Sequence, residues 1–162
     1  QGTTFRIYLP RVASEAEVLA ERPALEVPRG NGESVVIVED EKSLRELCGL
    51  FLGDLGYKVM KVETPGEALR MARESADPLH LLLTDIVMPG MDGQQLARRM
   101  RLVRPDVRVL FMSGYTPDLF IPRGVRELNG NHLAKPFTRM ELATRVHEVL
   151  KETLPSVSDR AG

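Results

Sequence analysis

Short apolar runs without polar interruption alternate, from about Ser34 to Thr153, with longer stretches whose apolar residues recur at helical spacing. Val35-Val-Ile-Val38 is the plainest run, and His80 to Leu83 and Val107 to Met112 follow it less strictly. A strand that is apolar on both faces must be covered on both, which a parallel sheet between two helical layers achieves. Parallel neighbours also need a long right-handed crossover, and the intervening helical patterns have that length. About five strand and helix repeats therefore predict an α/β fold, a doubly wound five-stranded parallel sheet with helices on both faces.

The helices are marked individually. Leu44, Leu47, Cys48, Phe51, Leu52 and Leu55 share one helix face that ends at Gly56, a stop signal. Thr64-Pro-Gly-Glu67 reads as a capping box with Pro at the first helical position, opening a helix to about Ser75. Leu96, Met100 and Val103 define a third helix ending before Pro105, and Leu142, Val146, Val149 and Leu150 a last one from about Thr138. Between residues 116 and 129, Pro117, Pro122 and Gly124 fall where another helix is due, which predicts a short or irregular one.

Composition narrows the function classes. With 22 Lys+Arg against 23 Asp+Glu and a net charge of −1, the chain has no long-range field for nucleic acid or an anionic membrane. No stretch approaches the roughly 18–20 apolar residues of a membrane span, so no membrane contact is expected of this segment. The single cysteine, Cys48, fits a reducing compartment, and the chain reads as cytoplasmic. It begins at Gln1, which reads as a piece of something longer.

In a doubly wound sheet ligands collect beyond the carboxyl ends of the strands. The first strand ends in Glu39-Asp40-Glu41, the third in Asp85, the fourth in Ser113, and the fifth, around His132 to Ala134, in Lys135-Pro136. Two carboxylates about 4 Å apart repel by roughly 4 kcal/mol at an effective dielectric of 20, so Glu39, Asp40 and Asp85 together call for a cation. Two or so carboxylates, a carbonyl and retained waters suit Mg²⁺ better than Ca²⁺. A Mg²⁺ ion beside a carboxylate permits phosphoryl transfer to Asp85, after which Lys135 would pair with one phosphoryl oxygen and Ser113 donate to another. Such a site works as a switch rather than a metabolic catalyst.

These residues resemble the receiver domain of two-component response regulators. The matching pieces are Val35-Val-Ile-Val-Glu-Asp-Glu41, Leu81-Leu-Leu-Thr-Asp-Ile-Val-Met-Pro-Gly-Met-Asp-Gly93, Val109-Leu-Phe-Met-Ser-Gly-Tyr115 and Lys135-Pro-Phe137. The resemblance implies the flavodoxin-like receiver fold, with Asp85 as phosphoacceptor and Asp40 as a direct Mg²⁺ ligand. It further implies Glu39 as a ligand mostly through water, the Val87 carbonyl as another, Ser113 and Lys135 in the switch roles, and a cis Lys135-Pro136 bond. The position three before the lysine, usually Tyr or Phe in the family, is His132 here, which puts the switch readout in question but not the phosphorylation chemistry.

Residues 1–33 differ in character. Gly2-Thr-Thr-Phe-Arg-Ile-Tyr-Leu-Pro10 resembles the last strand of the ATP-binding domain of sensor histidine kinases. The expected organisation is a kinase-domain remnant over 1–10, a linker over 11–32, a receiver over 33–153 and a tail over 154–162. That order matches a hybrid histidine kinase, so the segment would be a phosphoacceptor and not itself a kinase. A histidine kinase core is then the implied phosphodonor and a histidine phosphotransfer protein a further implied partner.

Other readings are weaker. A haloacid-dehalogenase-type phosphatase needs a second Asp two residues after the nucleophile, where this chain has Val87; a flavin binder needs a phosphate loop where Glu39-Asp-Glu41 would repel phosphate. An unphosphorylated receiver-like docking module is the remaining alternative. Singly, Glu41 reads as a helix cap, Tyr115 as a loop aromatic or pocket cover, His80 as strand-edge packing, His147 as a surface histidine and Cys48 as core.

Overall fold

A computed structural model describes residues 27–114 and 131–152, with the single positions Thr3 and Arg6. The expected strand over 4–9 apart from Arg6, most of the linker, Tyr115, the irregular helix over 116–129 and the tail over 154–162 lie outside the described residues.

Five strands form one parallel sheet: β1 (Ser34–Val38), β2 (Lys58–Val62), β3 (Leu81–Asp85), β4 (Arg108–Ser113) and β5 (His132–Ala134). Their spatial order is β2-β1-β3-β4-β5. The described helices are α1 (Lys42–Asp54), α2 (Pro65–Glu74), α3 (Gly93–Val103) and α4 (Arg139–Lys151). Because successive side chains on a strand point to opposite faces, each apolar run feeds two cores. Val35, Ile37, Leu81, Leu83, Leu110 and Met112 meet Cys48 and Leu52 of α1 and Leu142, Val146 and Val149 of α4. Val36, Val38, Leu82, Val109 and Phe111 meet Ala68 and Leu69 of α2 and Leu96 and Met100 of α3. The unbroken runs of the sequence are thus explained by two covered faces.

The helix signals act as their chemistry requires. Thr64 and Glu67 form the reciprocal capping box of α2, and Thr138 and Glu141 form a second one at α4. Gly56 ends the α1 segment at φ +93°, a backbone conformation that a side chain disfavours. Leu47, on the expected inner face of α1, is 43 % exposed, so that face is narrower than the periodicity implies. Glu41 occupies the N-cap position of α1 but makes no side-chain cap bond. Residues 27–32, from the expected linker, are tied to the end of α1: Gly30 N donates to Leu55 O at 2.8 Å and Gly32 N to Gly56 O at 3.1 Å.

Register sets the strand ends level. Val38 pairs with Thr84, Asp85 with Met112 and Ser113 with Ala134. Glu39, Asp85, Ser113 and Lys135 therefore emerge at one edge, at the point where the chain crosses from the β2 side of β1 to the β3 side. No helix among the described residues is long and apolar enough to cross a membrane.

Candidate functional site

Glu39 follows β1 directly and is almost fully buried, at 1 % exposed. Asp40, one residue on, is exposed, while Asp85 at the end of β3 is half-buried. One carboxylate oxygen from each of the three lies within 4.8 Å of the others. Lys135, just past β5, reaches between two of them, its Nζ donating to Glu39 Oε2 and to Asp85 Oδ2, each at 2.7 Å. Its backbone N donates to the carbonyl of Ser113 at 2.7 Å, which fixes the root of the lysine to the end of β4. The Lys135-Pro136 bond is cis, as the resemblance implied.

The other oxygens of Glu39 and Asp85 have backbone partners. The Glu41 N–H donates to Glu39 Oε1 at 3.3 Å, and the Val87 N–H donates to Asp85 Oδ1 at 3.1 Å. Val87 itself is 58 % exposed at the mouth of the site, between the buried Ile86 and Met88. Ser113 is buried at the end of β4.

Burial pushes the Glu39 carboxyl above the ordinary glutamate value, and the Lys135 hydrogen bond and charge pull it part of the way back. Burial also works against the Lys135 charge, but hydrogen bonds to Asp85 and Glu39 outweigh it and hold the ammonium above the ordinary lysine value. Lys135 is thus a firmly charged cation inside the acidic cluster. His132 is half-buried on β5 opposite Phe111, and burial, aided by the charge of Arg145, keeps it below the usual histidine range.

A family model described as the response regulator receiver domain matches residues 35–147. The chain belongs to that family. The chain is 35 % identical over 159 residues to the sensor kinase CckA of Brucella abortus, a match covering 94 % of this chain and 17 % of that protein. It is 32 % identical over 116 residues to the response regulator receiver protein CpdR of the same organism, covering 72 % of this chain and 95 % of the relative. Among solved structures, the receiver domain from the hybrid histidine kinase CckA matches with a TM-score of 0.61 at 32 % identity, over 73 % of this chain and 99 % of that one. A CheY-like receiver domain from Methanospirillum hungatei matches with a TM-score of 0.64 at 25 % identity, over 74 % and 94 %. The chain thus spans less than a fifth of the length of the sensor kinase it matches.

Receiver domains bind Mg²⁺ in an acidic pocket, and the residues here fit such an ion. The donors are hard oxygens, two carboxylates sit where water reaches them, and the charge already gathered there is more than one lysine offsets.

Two neighbours of the site were not singled out from the sequence. Arg45 is buried on α1 and donates to the carbonyls of Glu39 and Asp40 and to Glu63 Oε2. It falls on the buried face with Cys48 and Leu52, and a charge at that spacing was the available signal. Gly93 opens α3 where an added Cβ would lie 2.1 Å from the Asp85 carbonyl oxygen, so α3 reaches the end of β3 only through a residue without a side chain.

Proposed function

We propose that this receiver is the phosphoacceptor of a two-component phosphorelay, with Asp85 the residue that takes the phosphoryl group. The observation that carries the reading is the placement of the Asp85 carboxylate among Glu39, Asp40 and Lys135 at the open edge of the sheet. Asp40 and Asp85, with the Val87 carbonyl and with Glu39 through water, would hold Mg²⁺. When bound, the ion neutralises charge on the incoming phosphoryl oxygens and on the acids around them.

The chain's own residues supply the rest. An Asp85 oxygen attacks phosphorus in line, an O–P bond forms, and the bond from phosphorus to the donor breaks, its electron pair leaving with the donor. The Val87 N–H and the Lys135 ammonium, which both contact Asp85, keep the carboxylate oriented for that attack. Once phosphorus is attached, Lys135 transfers its hydrogen bond to a phosphoryl oxygen and the Ser113 hydroxyl donates to another. Movement of these two groups, at the ends of β4 and β5, reports the phosphate to the rest of the fold.

The parent is a hybrid sensor histidine kinase on this reading, with residues 1–10 from its kinase domain, 11–32 a linker, 33–153 the receiver and 154–162 a tail. The similarity to the sensor kinase supports it, since that match covers 94 % of the chain and so runs beyond the family match over residues 35–147. The kinase core is then the phosphodonor, and a histidine phosphotransfer protein a downstream acceptor. The cell interior is the compartment that such a donor requires.

Beryllofluoride, a non-reactive phosphoryl mimic, tests the site with Mg²⁺ present. Amide resonances around Asp85, Ser113 and Lys135 should shift in the unsubstituted chain and stay in place in Asp85→Asn. Unchanged spectra in both would favour an unphosphorylated docking module.

A further inference from the structure

The turn between β1 and α1 carries two consecutive acids with opposite exposure, Glu39 buried and Asp40 open. Both carboxylates must nevertheless face Asp85, and mutual repulsion tends to turn them apart. Lys135 and the Glu41 N–H hold the Glu39 carboxylate itself, but they do not fix the peptide planes of the turn. The side chain that grips this turn from behind is Arg45, 8 % exposed on the inner face of α1. Its Nη1 donates to the carbonyl oxygen of Glu39 at 2.5 Å and to that of Asp40 at 3.3 Å, while Nη2 reaches Glu63 Oε2 at 3.2 Å.

We propose that Arg45 is a positioning residue for the metal pocket, fixing the two peptide planes of the β1–α1 turn so that the Glu39 and Asp40 carboxylates converge on Asp85. The inference rests on the metal reading given above. Its chemistry differs from that of Lys135, which occupies an oxygen of Glu39 and an oxygen of Asp85 directly. Arg45 takes backbone oxygens instead, so its positive charge offsets the acids while their oxygens stay open to a cation. The guanidinium holds both carbonyls through one nitrogen and Glu63 through the other, a span that a single ammonium cannot cover. Glu63, 64 % exposed on its side chain, steadies the far end of the fork.

The test is Mg²⁺ titration of the 162-residue chain by calorimetry, with amide spectra of the metal-free proteins alongside. Arg45→Met, which keeps the apolar stem, should weaken Mg²⁺ binding by about tenfold or more, the usual scale for losing a group that orients metal ligands. The Glu39 and Asp40 amides should shift in that variant before any metal is added. Glu63→Gln should stay within about twofold of the unsubstituted chain, because an exposed ion pair contributes little. Arg45→Lys, which keeps the charge but cannot span the two carbonyls and Glu63 together, should fall between, and it decides the matter if Arg45→Met does not fold. Equal losses in Arg45→Met and Glu63→Gln would show that Arg45 only braces the two loops, and unchanged affinity in Arg45→Met or Arg45→Lys would likewise overturn the inference while leaving the metal reading intact. Absence of Mg²⁺ uptake by the unsubstituted chain would overturn the metal reading and this inference together.

Discussion

Replacing Lys135 by Met should convert the acidic pocket from a partly offset cluster into a source of instability that Mg²⁺ can repair. Each of the two 2.7 Å contacts made by Lys135 corresponds to about 6 kcal/mol of raw attraction at an effective dielectric of 20. Carboxylate pairs up to 4.8 Å apart each repel by about 3.5 kcal/mol on the same scale. Desolvation cancels much of the attraction, but removing one partner of a buried pair typically costs about 3–5 kcal/mol, because the other charge stays buried alone. Glu39 can escape part of that cost by taking a proton. Starting from the ordinary value of 4.5, protonation at pH 7 costs at most about 3.4 kcal/mol, and burial, which raises the Glu39 pKa, reduces this further. The expected deficit at pH 7 without metal is therefore below about 3.4 kcal/mol. A raised folded pKa means that the folded state holds the extra proton, so the stability deficit should be small below about pH 5 and grow as pH rises through that pKa. Urea unfolding in EDTA at several pH values reads the deficit, and the same titration with Mg²⁺ should shrink it to within about 1 kcal/mol, since a dication binding only the folded chain restores the missing charge. A metal-free deficit under about 0.5 kcal/mol, or one that Mg²⁺ leaves unchanged, would refute the reasoning.

Other perturbations test separate parts of the structure. Gly93→Ala places a Cβ 2.1 Å from the Asp85 carbonyl and should cost more than the usual 1–3 kcal/mol of about one added methyl, measured by urea unfolding; wild-type stability would contradict the close approach of α3 to β3. Burial, with the Glu39 charge adding, pushes the Cys48 thiol up to about 12, so alkylation at pH 8 should be limited by unfolding and become fast only in denaturant. Since an unfolded cysteine ionises near about 8.5, the same shift makes stability fall as pH rises from there toward the folded value, and Cys48→Ala should remove about 1.4 kcal/mol per pH unit of that slope in chemical denaturation.

The parts of the fold that were legible in the sequence are those where one physical demand dominates. β1 and β3 are buried on both faces, so their residues had to be apolar without interruption, and the capping box at Thr64 marks a helix start because its hydrogen bonds are local. β2 left no such trace: it is an edge strand whose Lys58 and Lys61 face solvent, Lys61 pairing with Glu46 of α1, so its apolar residues are too few to stand out. Asp85, Glu39 and Lys135 were found because strand ends in this architecture converge on one edge. Arg45 and Gly93 were not, because their value lies in contacts with backbone atoms distant in sequence, 45 to 39 across a turn and 93 to 85 across a loop, which residue type alone does not announce. Leu47 shows the opposite failure, since periodicity identifies a helical face but not how far the neighbouring layer extends over it.

The account is tested most directly by the mass of the intact chain after incubation with acetyl phosphate. With Mg²⁺ present, the chain should gain one phosphoryl group, lose that ability in EDTA, lose it in Asp85→Asn, and keep it in Asp92→Asn, where the substituted residue is the N-cap of α3. Phosphoryl uptake that survives Asp85→Asn, or none at all in the unsubstituted chain with Mg²⁺, would contradict the assignment of Asp85 as the residue that carries the signal.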